Sequence, residues 1–208
     1  MDSFLDSTVV INSLEYEFIK EQLRKKCFEH VSSQKKILIS FIVEEELRRA
    51  IIKRKEIYEN VIKKIKNPSF QIDYKNSSFL NKEDWLFAEG LYTQLKEREM
   101  GELKKGMDAE IDFLNKSLIA FLKNRISDIA IKKSELNQEI LFVIHDFIAD
   151  FADCRVLTSA IQMQQGREQF SFVTADKHFD SGSYNLVEEE RRLKEYKKPK
   201  LKNLLFED

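Results

Sequence analysis

Four short segments of this 208-residue chain each set an acid at the edge of an apolar run. They are Phe4-Leu5-Asp6-Ser7-Thr8-Val9-Val10-Ile11, Ile39-Ser40-Phe41-Ile42-Val43-Glu44-Glu45-Glu46-Leu47, Asp153-Cys154-Arg155-Val156-Leu157-Thr158-Ser159-Ala160-Ile161, and Phe172-Val173-Thr174-Ala175-Asp176-Lys177-His178-Phe179. Carboxylates gathered in one place repel one another and lose hydration, so the group is costly until something neutralises it. A divalent cation does this. Mg²⁺ and Mn²⁺ prefer oxygen ligands and keep several waters. One such ion, or two about 3.5–4 Å apart, can activate water and stabilise the charge on an attacked phosphodiester. Phosphodiester hydrolysis is the chemistry these residue types suggest.

Neighbouring residues sort into supporting roles. Thr8 and Thr174 carry hydroxyls that can orient a carboxylate. Asp153 leads a helical face holding Leu157 and Ala160, where an unpartnered carboxylate is expensive. Asp150, one turn earlier, reads as a helix cap ahead of an extra ligand. Glu44, Glu45 and Glu46 are not separated by spacing, because all three suit a first helical turn. Asp180 reads as a loop acid, His178 as a loop histidine, and His30 and His145 as structural.

The elements that must position these groups follow from periodicity. Residues 3–6 and 36–40 read as short buried strands, 70–74 as a third and 170–174 as a fourth. Helical spacing covers 9–30, 43–65, a segment capped by Asn81 and containing Trp85, and 146–165. Residues 100–144 are polar and helical in pattern, with Gly101 and Gly106 as expected breaks, and read as an inserted helical hairpin. The tail from Val187 is strongly basic from Arg191 to Lys202. Strands alternating with helices predict an α/β fold, a three-layer α/β/α sandwich on a mainly parallel sheet, over a single domain 1–208. Ligands of such sheets bind at the carboxyl edge of the strands, where Asp6 and Asp176 fall.

Composition bounds the rest. Thirty-five basic residues against 36 acidic give a net charge of −1, so a polycationic nucleic-acid binder is excluded and contact with phosphate must be local. Five glycines and two prolines argue for long helices and against an all-β sandwich. Two cysteines, Cys27 and Cys154, exclude a disulfide scaffold and a four-cysteine zinc site. Glycine-rich phosphate loops and Ser-His-Asp signatures are absent. The start lacks the pattern of a signal peptide and no apolar run is long enough to span a bilayer, so the expected compartment is the cytoplasm, away from membranes.

Taken in order, the four segments resemble the PIN-domain family of metal-dependent nucleases, including VapC-type toxins. Asp6 to Ile11 is similar to the family's opening Asp-Thr-Asn-Val-Leu-Ile signature, with Thr8 where Asn is usual. Ser40 with Glu46-Leu47 resembles the second acidic motif, Asp153 to Ile161 the third, and Val173 to Phe179 the closing Thr-x-Asp-x-x-Phe motif. The likeness covers about 1–100 and 145–182. It implies that Asp6, Glu46, Asp153 and Asp176 hold one or two Mg²⁺ or Mn²⁺ ions and activate water for cleavage of single-stranded RNA. Thr8, Ser40, Thr174 and Asp150 would support them. Arg48, Arg49, Lys177, Arg191 and Arg192 are the candidate phosphate contacts, set against the plain reading of solvated faces.

The resemblance also implies two alternatives: the same nuclease as a toxin silenced by an antitoxin partner, and a PIN-like scaffold without catalysis. A homodimer is a further expectation. DNA remains open as a substrate, because the acids do not read a 2′-hydroxyl. A phosphotransferase of the haloacid-dehalogenase type is disfavoured, because Asp6-Ser7-Thr8 lacks its second acid.

Overall fold

The computed structural model describes residues 2–207. The chain divides into two compact units, one of residues 1–47 and 120–208, the other of 48–119.

The first unit is built on five parallel strands in the order β3-β2-β1-β4-β5. These are β1 (Ser3–Leu5), β2 (Ile37–Ser40), β3 (Ile126–Ala130), β4 (Ser171–Thr174) and β5 (Lys200–Asn203). With its helices the sheet forms an α/β/α sandwich, the expected class. The middle strands β1, β2 and β4 are apolar and buried, as strands covered on both faces must be. Phe172 is fully buried against Phe4, at 5.9 Å between ring centroids, and edge-on to Phe179 at 5.0 Å. Phe172→Ala is expected to destabilise the chain by about 3–5 kcal/mol, because the strand cannot collapse into the space left. Denaturant unfolding followed by circular dichroism measures this.

Helix α1 (Ser7–Glu15) starts directly after β1. The helix expected over 9–30 is two, because α2 (Gln22–Ser33) folds back against α1. Buried Glu15 accepts Arg24 Nη2 at 2.9 Å, and the Tyr16 and Phe28 rings pack at 5.2 Å, which fastens the corner. Further helices serve this unit besides the end of the helix Met100–Asn124. They are the first turns of α3 (Phe41–Lys66), then α6 (Gln138–His145), α7 (Phe151–Gln164) and α8 (Ser181–Glu189). Among the described residues no helix is long and apolar enough to cross a membrane.

The second unit contains the rest of α3, α4 (Lys82–Leu95) and most of α5 (Met100–Asn124). Its core joins Ile57, Tyr58, Val61, Ile72, Leu80, Ala88, Leu103 and Met107. Asn81 and Asp84 cap each other at the start of α4, and Trp85 packs on this core with Tyr74.

Several boundaries differ from the expectation. The helical unit set between β2 and β3 runs over 48–119, whereas 100–144 holds α5, β3 and α6. Gly101 and Gly106 lie inside an unbroken α5. Strand β3 was hidden because it is an edge strand, half-buried and polar at Ser127 and Asp128. Residues 70–74 form no strand; their alternating apolar side chains pack on helices instead. The basic tail supplies β5, an edge strand whose alternate lysines suit an unpaired border.

Candidate functional site

The strand order reverses between β1 and β4: β2 and β3 lie to one side, β5 to the other. Such a switch point opens a crevice beyond the carboxyl ends of the strands. Asp6 directly follows β1 there and caps α1, and Asp176 follows β4 and caps the turn Lys177–Phe179.

Asp6 is only 2% exposed and is held from three sides. It accepts the Ser7 backbone N–H at 2.6 Å, the Thr8 hydroxyl at 2.6 Å and the Thr174 hydroxyl at 2.8 Å. Thr8 and Thr174 do more than donate. Thr8 Oγ1 accepts the Ala175 N–H at 3.1 Å, and Thr174 Oγ1 accepts the Asp176 N–H at 3.0 Å. The two hydroxyls thus lock the end of β4 to the acid at the end of β1.

Glu46 comes from the first turns of α3. Its carboxylate accepts the Ser7 hydroxyl at 2.8 Å, and Ser7 also lies 3.3 Å from Asp6 Oδ1. Ser7 therefore bridges two acids. Geometry selects Glu46 from the three consecutive glutamates as the one on this bridge. Asp153 stands in the first turn of α7 and accepts His178 Nδ1 at 2.8 Å; the same nitrogen is 3.2 Å from Asp176 Oδ1. All four predicted acids are thereby brought to one edge.

Their electrostatics show the strain of that arrangement. Burial, with the nearby Asp176 charge, raises the Asp6 pKa despite its hydroxyl donors. Burial and the charges of Asp6 and Asp153 push Glu46 up to about 8, against the Ser7 hydrogen bond and Arg155. Burial and the charges of Asp176, Asp6 and Asp150 push Asp153 up to about 7. Desolvation disfavours a charged His178, but the Asp153 hydrogen bond and the charges of Asp176, Asp153 and Asp150 outweigh it and raise its pKa. Asp6, Glu46 and Asp153 each feel the charge of at least one other of the four acids, which opposes their ionisation.

Other predicted positions take other places. Ser40 is buried at the end of β2 and touches none of the four acids in a hydrogen bond; it accepts the Val43 N–H at 3.3 Å and starts α3. Asp150 caps α7 through the N–H groups of Ala152 and Asp153. Its carboxylate also lies within 4.8 Å of ligand atoms of Asp153 and His178, a grouping able to hold a metal ion. Asp180 caps α8 by accepting the Ser183 N–H at 2.8 Å. Lys177 and Arg191 are exposed, whereas Arg192 is engaged with Asp146 at 2.8 Å and with Glu190. Arg48 and Arg49 are exposed on α3 where the second unit begins.

Sequence reasoning missed Ser7 and underrated His178. The signal for Ser7 was its place one residue after Asp6, at the first position of a helix. For His178 it was the spacing of two residues from Asp176, which a tight turn converts into a shared nitrogen.

Fold and edge together define an all-parallel α/β protein with a carboxylate centre at its switch point. The chain matches no family model, no curated protein and no solved structure.

Proposed function

We propose that this protein is a divalent-cation-dependent endoribonuclease that hydrolyses phosphodiester bonds of single-stranded RNA, in the manner of the PIN-domain nucleases it resembles. The observation that carries the reading is the convergence of Asp6, Glu46, Asp153 and Asp176 from four separate segments, linked by Ser7, Thr174 and His178.

The donor set suits Mg²⁺ or Mn²⁺, since the four acids offer oxygen alone. When bound, such an ion supplies water activated at neutral pH and charge stabilisation at the phosphate. Asp6, Asp153 and Asp176 would hold it, and Glu46 would hold a second ion or orient the attacking water. Ser7, Thr8 and Thr174 keep the carboxylates aimed, which is the work of groups behind a metal ligand.

Labelled single-stranded RNA incubated with Mn²⁺, and with Mn²⁺ plus EDTA, tests the reading. Cutting in Mn²⁺ that stops with EDTA supports it. No cutting across RNA and single-stranded DNA panels overturns it.

A narrower expectation concerns Thr174. Thr174→Val removes one donor to Asp6 and should lower Mn²⁺ affinity and cleavage about 10–100-fold, while Thr174→Ser retains most of both. Titration calorimetry and initial rates read the two effects.

A further inference from the structure

Two aromatic rings at the carboxyl edge of the sheet are partly exposed, each with a cation over it; Phe151 also packs edge-on against His145 at 5.5 Å. Phe41, 36% exposed, follows the last residue of β2, and Lys132 Nζ lies 5.6 Å from its ring centroid. Lys132 itself follows β3 by two residues. Phe151, 41% exposed, is the first residue of α7, and the Arg155 guanidinium lies over it at 5.5 Å. Arg155 Nε donates to the Phe151 carbonyl at 3.3 Å, which fixes the guanidinium above the ring.

Both pairs neighbour the acids. Phe41 precedes Glu46 by five residues on one helix, about 7.5 Å along its axis. Phe151 precedes Asp153 by two residues, and Arg155 is close enough to Glu46 to favour its charged form. A single exposed phenylalanine needs no explanation, and an aromatic–arginine pair one turn apart is an ordinary helix-surface contact. The informative feature is that two such pairs, from different elements, stand at the edge that carries the carboxylates. Proteins that hold single strands combine aromatic faces, on which any base stacks, with cations for the backbone. Bases also stack on guanidinium planes.

We infer that Phe41 with Lys132 and Phe151 with Arg155 are two stacking subsites that hold the bases and phosphates of a single-stranded nucleic acid beside the carboxylate centre. This rests on the nuclease reading for its substrate class and adds how that substrate is gripped without sequence preference. In a chain of net charge −1, local pairs of this kind supply the cationic contact that bulk charge does not.

The test is binding of fluorescein-labelled oligouridylate and oligothymidylate, read by anisotropy in Ca²⁺, with the strands checked for integrity by gel. Phe41→Ala and Phe151→Ala, and the bulk-preserving Phe41→Leu and Phe151→Leu, should each weaken binding roughly 5- to 100-fold. The loss should vanish on an abasic strand of equal length. Arg155→Gln should make the salt dependence shallower by about 0.7 in the log–log slope. Circular dichroism checks that the variants fold.

Wild-type protein that binds neither strand overturns the inference. So do ring variants within about twofold of wild type, or a loss undiminished on the abasic strand. Cleavage in Mn²⁺ is scored separately. Cutting with ring-indifferent binding rejects the subsites and keeps the nuclease, and ring-dependent binding without cutting rejects the nuclease and keeps the subsites.

Discussion

Asp6→Asn should yield a folded protein whose cleavage of single-stranded RNA in Mn²⁺ is at least about 10³-fold slower, the loss expected when roughly 4 kcal/mol of transition-state stabilisation disappears. The argument starts from how Asp6 is held. Its carboxylate takes the Ser7 N–H and the hydroxyls of Thr8 and Thr174, and it caps α1. Asparagine has nearly the same shape, serves as well as a helix cap, and leaves one oxygen for these donors. The fold therefore has little reason to fail. The charge is gone, however, and with it the acid most deeply buried among the four. Asp153→Asn provides a second reading from a separate helix, where the lost partner is the His178 imidazole. Melting temperatures near wild type together with wild-type cleavage by both variants would sink the metal-centre assignment.

Stability of the metal-free protein should fall as pH rises from 6.5 to 8, by roughly 2 kcal/mol or about 5 °C in melting temperature. Glu46 and Asp153 titrate near 8 and 7 when folded, against ordinary values of 4.5 and 3.8. The folded chain thus binds protons that the unfolded chain has already released. Stability is lost as those protons leave, through each folded pKa. His178 acts in the same direction, because its raised folded pKa contributes stability that fades as pH climbs past it. His30 acts oppositely but lower down. Burial and Lys202 depress it from 6.5 to about 4, so its cost appears only as pH falls below 6.5. The window above 6.5 therefore leaves out His30 and reads the carboxylates together with His178. Partial exposure of Asp153 to solvent is why the expected total stays small.

Mn²⁺ should reverse the loss. The ion takes deprotonated ligands, so binding strengthens with pH, and at 100 times its dissociation constant it adds about 2.7 kcal/mol. Thermal melts at pH 6.5 and 8, with EDTA and with Mn²⁺, test both statements. Metal-free stability that rises across this window would contradict the clustered acids, and melts unmoved by Mn²⁺ at pH 8 would contradict their use as ligands.

The parts of this protein legible in its sequence are those fixed by local chemistry. Strands β1, β2 and β4 carry the short apolar runs Phe4-Leu5, Ile37-Leu38-Ile39 and Phe172-Val173, because both faces of a central parallel strand are covered, and each could be seen without its neighbours. Asp6, Asp153 and Asp176 stood out because an acid at the end of such a run or on an apolar helix face needs a reason. The caps of Asn81 and Asp150 follow from side chains bonding N–H groups two or three residues on, whereas Asp180, read as a loop acid, caps α8.

Tertiary structure decided what depends on partners distant in the chain. Edge strands β3 and β5 are half polar, and only pairing with β2 and β4 makes them strands. The helical unit begins at residue 48, inside a helix with no break to announce it. Three adjacent glutamates look alike until Ser7, 39 residues away, donates to one. His178 looks like a loop residue until α7 brings Asp153 to its ring. The sequence determined which residues could do chemistry, since that is a property of side chains. Which of them act on one another was settled by the parallel sheet, because strand order places the ends of β1 and β4 side by side although Thr174 lies 169 positions after Leu5.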